Sequence, residues 1–191
     1  MDRSAPQGVV EEGDPVRLVV RAIRLPEDRA GVDRLDTSFT TSEIYAVVRD
    51  VRGFALERTK TALITKTYAV DDWQEERLWD MAWVACEENR IVGFAATRYE
   101  AWNRRLVIWH LYVDRGARRQ GVARALLDAA LSEGRCRGAG TVWLEVSNIN
   151  VPAIAAYRSL GFDFCGLDLE LYRHTEASGE AALFMGMVLT D

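Results

Sequence analysis

The sequence has few of the residues that build covalent or metal-bound frameworks. Its three cysteines, Cys86, Cys136 and Cys165, lie far apart, and only two histidines, His110 and His174, could join them. An odd, unpaired set of this kind is not a disulfide framework and suits a reducing cytosol, so a cytoplasmic protein is expected. It offers no ligand spacing for a metal. Long hydrophobic runs are missing too: nothing approaches the ~18 apolar residues of a membrane helix. Nor is there a surplus of positive charge, since 24 Lys and Arg stand against 29 Asp and Glu, a net charge of -5. That balance argues against nucleic acid and against an anionic membrane, both of which call for a basic face. It suits a cationic small molecule. The first 14 residues carry Asp2, Glu11, Glu12 and Asp14 without the apolar core of a signal peptide. They read as a loose tail with little to bury. Residues 15–191 read as one domain with room for a sizeable core.

What is present alternates between strand and helix signals. Arg17 to Leu25 predicts a strand, and Pro26-Glu27-Asp28 a helix start running to about Leu35. A polar loop follows around Phe39. Ile44 to Val51 and Phe54 to Arg58 flank a turn at Arg52-Gly53, and Leu63 to Tyr68 predicts a further strand. Asp71, Asp72, Glu75 and Glu76 form an acidic patch, either a solvated segment or a lip that attracts a cation. Met81 to Cys86 and Ile91 to Arg98 predict a hairpin, and Leu106 to Val113 the next strand. Val122, Leu126, Ala129 and Ala130 share a helical face, with Gly134 placed to end that helix. Thr141 to Ser147 predicts a strand and Val151 to Leu160 a helix stopped by Gly161. Phe162 to Tyr172 and Ala182 to Leu189 close the chain as strands. The order implies an α/β (α+β) fold with a mixed, largely antiparallel sheet flanked by helices.

The sharpest feature is Val113-Asp114-Arg115-Gly116-Ala117-Arg118-Arg119-Gln120-Gly121-Val122-Ala123, where a strand ends, a basic turn follows and an amphipathic helix begins. The first helical turn leaves backbone N–H groups without partners, and with the helix dipole they form an anion site. Gly121 allows close backbone approach. The same stretch also reads as an arginine-rich surface turn. A P-loop is excluded, because the Gly-Lys-Ser/Thr ending is missing.

Arg118-x-x-Gly121-x-Ala123 resembles the signature of the GNAT N-acetyltransferase superfamily. Asn150-x-x-Ala153-x-x-x-Tyr157-x-x-x-Gly161-Phe162 resembles the second half of that superfamily's cofactor site. Ser38-Phe39-Thr40-Thr41, Trp102-Asn103-Arg104-Arg105-Leu106, Trp143-Leu144-Glu145-Val146, Asn148 to Ile154 and Cys165-Gly166-Leu167-Asp168 resemble the streptothricin (nourseothricin) acetyltransferases. These enzymes acetylate an amine in the β-lysine moiety of the antibiotic. The likeness is dense from Tyr99 to Tyr172.

The resemblance implies a sheet splayed between two strands that hold the pantetheine of acetyl-CoA. The splayed strand would be Leu111-Tyr112-Val113. The loop amides would come from Arg118, Arg119, Gln120, Gly121, Val122 and Ala123. Asn150 and Ala153 would complete the cofactor site, with Asn150 equally suited to cap a helix. Tyr157 would be the general acid, within reach of the thioester sulfur; the other reading is a core tyrosine. Many relatives carry a Glu in the strand before the loop, where this chain has Trp109 and then His110. The base therefore stays open between Glu145, a carboxylate on an otherwise apolar strand, and His110, since imidazole changes charge near neutral pH. A carboxylate acting through water is a third route.

A polycationic acceptor would need carboxylates and aromatic faces. Asp36, Glu43, Asp168 and Glu170 would supply charge, Phe39, Trp102 and Tyr172 faces, and Asn103 a polar contact. The cysteines suggest no covalent route, so direct transfer in a ternary complex is expected. Superfamily members are often dimers, which allows a homodimer. The alternatives are acetylation of another amine (polyamine, peptide N-terminus or protein lysine) and a non-catalytic acyl-CoA-binding module.

Overall fold

The computed structural model describes residues 17–70, 73 and 77–190. The expected tail and the acidic patch at 71, 72, 75 and 76 lie outside the described residues. The chain runs β1 (Leu18–Ala22), α1 (Arg29–Val32), β2 (Phe39–Asp50), β3 (Gly53–Lys66), β4 (Met81–Glu87), β5 (Arg90–Glu100), β6 (Arg105–Val113), α2 (Val122–Cys136), β7 (Thr141–Ser147), α3 (Val151–Ser159), β8 (Asp163–Asp168) and β9 (Ala182–Val188). Seven strands form one sheet in the order β1-β4-β5-β6-β7-β9-β8, while β2 and β3 form a separate two-stranded ribbon. Every neighbouring pair in the sheet is antiparallel except β6 and β7. This is the mixed, largely antiparallel architecture that the sequence implies.

Three differences from the sequence reading have physical causes. The first helix is four residues long, because Asp28 uses its carboxylate to bind the Arg21 guanidinium at 2.6 and 2.8 Å and the Arg24 amide at 2.7 Å. It caps nothing. The segments 54–58 and 63–68 are parts of one 14-residue strand ending at Lys66, and Phe39 opens its partner instead of sitting in a loop. The second helix passes through Gly134 and ends at Cys136. A Cβ at Gly134 would sit 2.9 Å from Leu106 Cδ2, so the glycine is a point of close packing and not a stop.

The amphipathic face of α2, with Val122, Leu126, Leu127, Ala130 and Leu131 buried, packs on the sheet. Burial of Leu127 and Leu131 with Leu144, Ile154, Leu183 and Met185 supplies the main core, while Val122 and Leu126 join a separate cluster with Ala85, Val92 and Ala95. A second cluster, around Val32, Trp79, Val84 and Phe94, lies under α1.

The feature that positions the site is where β6 leaves β7. Their parallel pairing covers only Arg105–Ile108 against Thr141–Leu144. On the other side of β6, Thr97 pairs with Ile108 but Ala96 with His110, so Trp109 is the extra residue of a bulge. A bulge bends its strand and increases the local twist. From Trp109 onward β6 therefore diverges, and 109–113 have no strand partner on the β7 side among the described residues.

Candidate functional site

A cavity of about 640 Å³ opens where the two strands part. Its walls come from Leu111, Tyr112 and Val113 of β6, the loop and first turn of α2 (Arg118, Arg119, Gly121, Val122, Ala123), and Asn150, Ala153 and Tyr157 around α3. Thr37, Phe39 and Tyr68 close it from the ribbon side. The predicted strand, loop and second helix thus meet around one cavity. Gln120 does not line it; its amide donates to the Gly116 carbonyl at 3.1 Å.

The loop turns by left-handed backbone at Arg119 (φ 64°) and Gly121 (φ 83°). Glycine reaches that region without the steric penalty borne by other residues. Gly121 is the N-cap of α2 and provides no side-chain cap, which leaves the first-turn amides to a ligand or to water. Arg118 behaves differently from the expectation of a phosphate-facing charge. Its guanidinium donates to the carbonyls of Ser38 (2.7 Å), Val113 (3.2 Å) and Asp36 (3.3 Å), and burial lowers its pKa. It ties the loop to the segment before β2. Arg124 likewise donates to the Ser159 carbonyl at 3.2 Å, bridging α2 and α3. Arg119 is exposed on the cavity rim.

Asn150 is a helix cap: its Oδ1 accepts from the Ala153 amide at 3.2 Å. Its side chain also hydrogen-bonds the Tyr68 hydroxyl, whose pKa is raised chiefly by burial. The cap read from sequence is thus present, on a side chain that also lines the cavity. Tyr157 packs edge-on against Phe162 at 5.9 Å. Burial first, and the charge of Glu145 second, push its pKa up to about 12, so the phenol stays protonated.

Glu145 lies on β7 with Trp143 and Ser147, on the face opposite the core residues Val142, Leu144 and Val146. Its carboxylate accepts a hydrogen bond from the Tyr172 hydroxyl. Burial raises its pKa; the Tyr172 bond opposes that shift and Glu180 adds to it. Asp168 acts one step away. It accepts from the Glu170 and Leu171 amides at 2.7 and 3.1 Å, shaping the turn that delivers Tyr172. His110 is elsewhere, its ring 5.9 Å from Phe94 and 5.5 Å from Tyr112 in a row of aromatics over the second core cluster.

Four residues expected at the acceptor are placed otherwise. Trp102, 84% exposed, and Asn103 lie on the turn entering β6. They lie roughly 20 Å along the chain from Trp109, where the gap opens. Glu43 is engaged by Arg58 across the ribbon at 2.5 Å and does not line the cavity. Asp36 accepts from the Ser38 amide at 3.0 Å, and hydrogen bonds from the Ser38 hydroxyl first and its amide second lower its pKa. It organises the latch around Arg118.

Sequence reasoning missed Thr37, Lys66, Tyr68, Ser147 and Glu180. The Tyr68 amide donates to Thr37 Oγ1 at 3.1 Å, and the Phe39 and Tyr68 rings stack at 6.0 Å. No local pattern marks these residues, because the fold gathers them from the ribbon's end and from the loop before β9.

The fold and the cavity define an acyltransferase of the GNAT type. The acetyltransferase (GNAT) family profile matches residues 48–162. The chain belongs to that family, whose members take their acetyl group from acetyl coenzyme A. More particularly, it is 41% identical over 171 residues to a streptothricin acetyltransferase from Streptomyces lavendulae, covering 85% of this chain and 90% of the relative. A streptothricin acetyltransferase from Escherichia coli is 28% identical over 161 residues, 84% of this chain and 91% of the relative. A crystal structure of nourseothricin acetyltransferase superposes with a TM-score of 0.82 at 38% identity, covering 91% of this chain and 99% of that one.

Proposed function

We propose that residues 15–191 form one acetyltransferase domain that moves an acetyl group from acetyl-CoA to an amine of a streptothricin-type antibiotic, by direct transfer in the cytoplasm. The observation that carries the chemistry is the place of Tyr157 in the wall of the cavity where β6 leaves β7, buried and within the field of the Glu145 carboxylate. The acceptor class is supported by the relatives, which align over nearly their whole length, and by the carboxylates beside the gap.

The residues present fit the donor. The uncapped first turn of α2, with Gly121 beneath it, would receive the pyrophosphate. The side of Leu111-Tyr112-Val113 that lines the cavity would meet the amides of the pantetheine. Tyr157, kept protonated, would donate to the departing thiolate sulfur. An amine attacks only when neutral, so an ammonium must first lose a proton. Glu145 would take it, directly or through water, since burial brings its basicity nearer to neutral pH. Neither group is in the cavity wall; the charge of Glu145 reaches Tyr157, whereas His110 packs between Phe94 and Tyr112, and this favours Glu145.

A free-thiol release assay with streptothricin, spermidine, an aminoglycoside and a lysine peptide tests the acceptor. Turnover with streptothricin at the highest kcat/KM is expected. Turnover with the peptide alone would overturn the antibiotic reading, and none with any amine would leave a cofactor-binding module.

A further inference from the structure

Beside Glu145 lies an ion pair that the transfer chemistry does not use. Lys66, the last residue of β3, places its ammonium 2.6 and 2.8 Å from the two carboxylate oxygens of Glu180. The same ammonium stands 5.2 Å from the centre of the Tyr68 ring. Glu180 also accepts a hydrogen bond from Ser147 Oγ. The two side chains are only 26% and 15% exposed. The location is that of the acceptor: Tyr68 lines the cavity, and Glu145 feels the charges of both Glu180 and Lys66.

Among the described residues, this cluster sets two carboxylates against one ammonium, a shortfall of one positive charge in a largely buried place. Such a shortfall is costly unless a cation arrives. The contacts that Lys66 makes are those by which proteins recognise a primary ammonium: a carboxylate gripping it at short range and an aromatic face beneath it. Lys66 enters from the two-stranded ribbon, not from the main sheet, on a flexible four-carbon stem that can withdraw without disturbing β7 or β9.

We infer that Glu180 and the face of Tyr68 form a second ammonium subsite, held by the tethered amine of Lys66 until a second cationic group of the acceptor displaces it. This rests on the amine-acetyltransferase reading above and deepens it. The preferred acceptor carries two primary ammonium groups, one delivered to Glu145 and one to Glu180. The ion pair is then a competitive plug, and its two members have opposite effects on binding.

Steady-state kinetics of Lys66→Met and Glu180→Gln, each with streptothricin, a short alkyl diamine and the matching monoamine, tests this. Lys66→Met lowers the KM of the dicationic acceptors several-fold. Glu180→Gln raises it by at least about tenfold, as loss of a buried charge partner does. Neither moves the monoamine KM measured above the acidic limb, where Glu145 is deprotonated in every variant; the limb itself shifts to lower pH in Glu180→Gln and to higher pH in Lys66→Met, because Glu180 raises and Lys66 lowers the Glu145 pKa. A rise in the dication KM in both variants would show that the pair only holds the ribbon in place and would overturn the inference. A second measurement needs no variant and no turnover. Amine-directed labelling of the wild-type chain, read at Lys66 by mass spectrometry, increases when the diamine is added without acetyl-CoA. Unchanged or reduced labelling would also overturn the subsite. Absence of turnover by the wild-type enzyme with every amine would instead count against the parent function.

Discussion

At the residue scale, two protons have to move, and the site separates them by environment. Tyr157 is buried beside a carboxylate, and both influences hold the phenol proton on. Tyr157→Phe should therefore lower kcat by about 10²–10⁴-fold, the usual contribution of a positioned acid, with acetyl-CoA affinity nearly unchanged. Turnover and equilibrium binding measured on the same variant check this; unchanged kcat removes Tyr157 from the mechanism. Glu145 carries the opposite requirement, since a base works only when deprotonated. Its pKa is raised, so activity should fall as pH drops through a value above the ordinary carboxylate range, and Glu145→Gln should abolish that limb. Tyr172 lowers the Glu145 pKa through its hydrogen bond. Tyr172→Phe should therefore move the acidic limb of kcat/KM to higher pH. A shift to lower pH would mean that another group is titrating.

At the element scale, the bulge at Trp109, the latch at Arg118 and the seat of α2 together shape the cavity. Arg118→Ala removes the donors to the Ser38 and Asp36 carbonyls, which join the loop to the segment before β2, and to the Val113 carbonyl at the end of β6. The expected result is a raised KM for acetyl-CoA with a smaller change in kcat, because the loop loses its registration while Tyr157 stays in place. Gly93 marks how closely α2 lies on β5: a Cβ there would meet Val122 Cγ1 at 2.8 Å, Leu126 Cδ1 at 2.9 Å and the Tyr112 carbonyl at 3.2 Å. Gly93→Ala should cost about 1–3 kcal/mol, the range for an overpacked core. Thermal unfolding with and without acetyl-CoA measures it, and a neutral result would show that α2 can slide. Sequence patterning exposed α2 and the strands beneath it, because a helix with one buried face and strands with β-branched runs leave strong periodic signals. The ribbon was read as three pieces because β3 is mostly exposed along its length, so no contrast between faces marks Arg58 to Leu63 as one strand. The first helix was overextended because Asp28, favoured at a helix start, is instead drawn to Arg21 and Arg24. Most of the cavity wall was legible from Arg118 to Ala123 and from Asn150 to Tyr157, where one strand–loop–helix unit and one helix bring local neighbours together. The proposed acceptor half was not, since Lys66, Tyr68 and Glu180 meet only through long-range folding and Trp102 departs to the far end of β6.

At the scale of the whole molecule, the ribbon of β2 and β3 has to be held against the seven-stranded sheet, because a two-stranded ribbon is marginal by itself. Asn148 is the principal polar joint. It is 7% exposed, and it lies between the end of β7 and the start of α3. Its Nδ2 donates to the Tyr45 carbonyl at 2.9 Å and its Oδ1 accepts from the Ala181 amide at 2.8 Å. Its own backbone accepts from the Tyr45 amide and donates to the Ala181 carbonyl, both at 2.9 Å. One residue thus locks the ribbon, the end of the sheet and the segment carrying Glu180 into a single arrangement. Asn148→Ala keeps the backbone pair but leaves the Tyr45 carbonyl and the Ala181 amide without their side-chain partner. Each unsatisfied buried group costs about 1–3 kcal/mol. At roughly 2–4 °C per kcal/mol for a chain of this size, melting should fall by several degrees. The functional effect should exceed what lost stability alone produces. Lys66 and Tyr68 ride on the ribbon and Glu180 on the segment next to Ala181, so the acceptor KM should rise while the KM for acetyl-CoA stays near its original value. Equal loss at both substrates, in proportion to the drop in melting temperature, would show that Asn148 contributes stability without setting the geometry of the acceptor side.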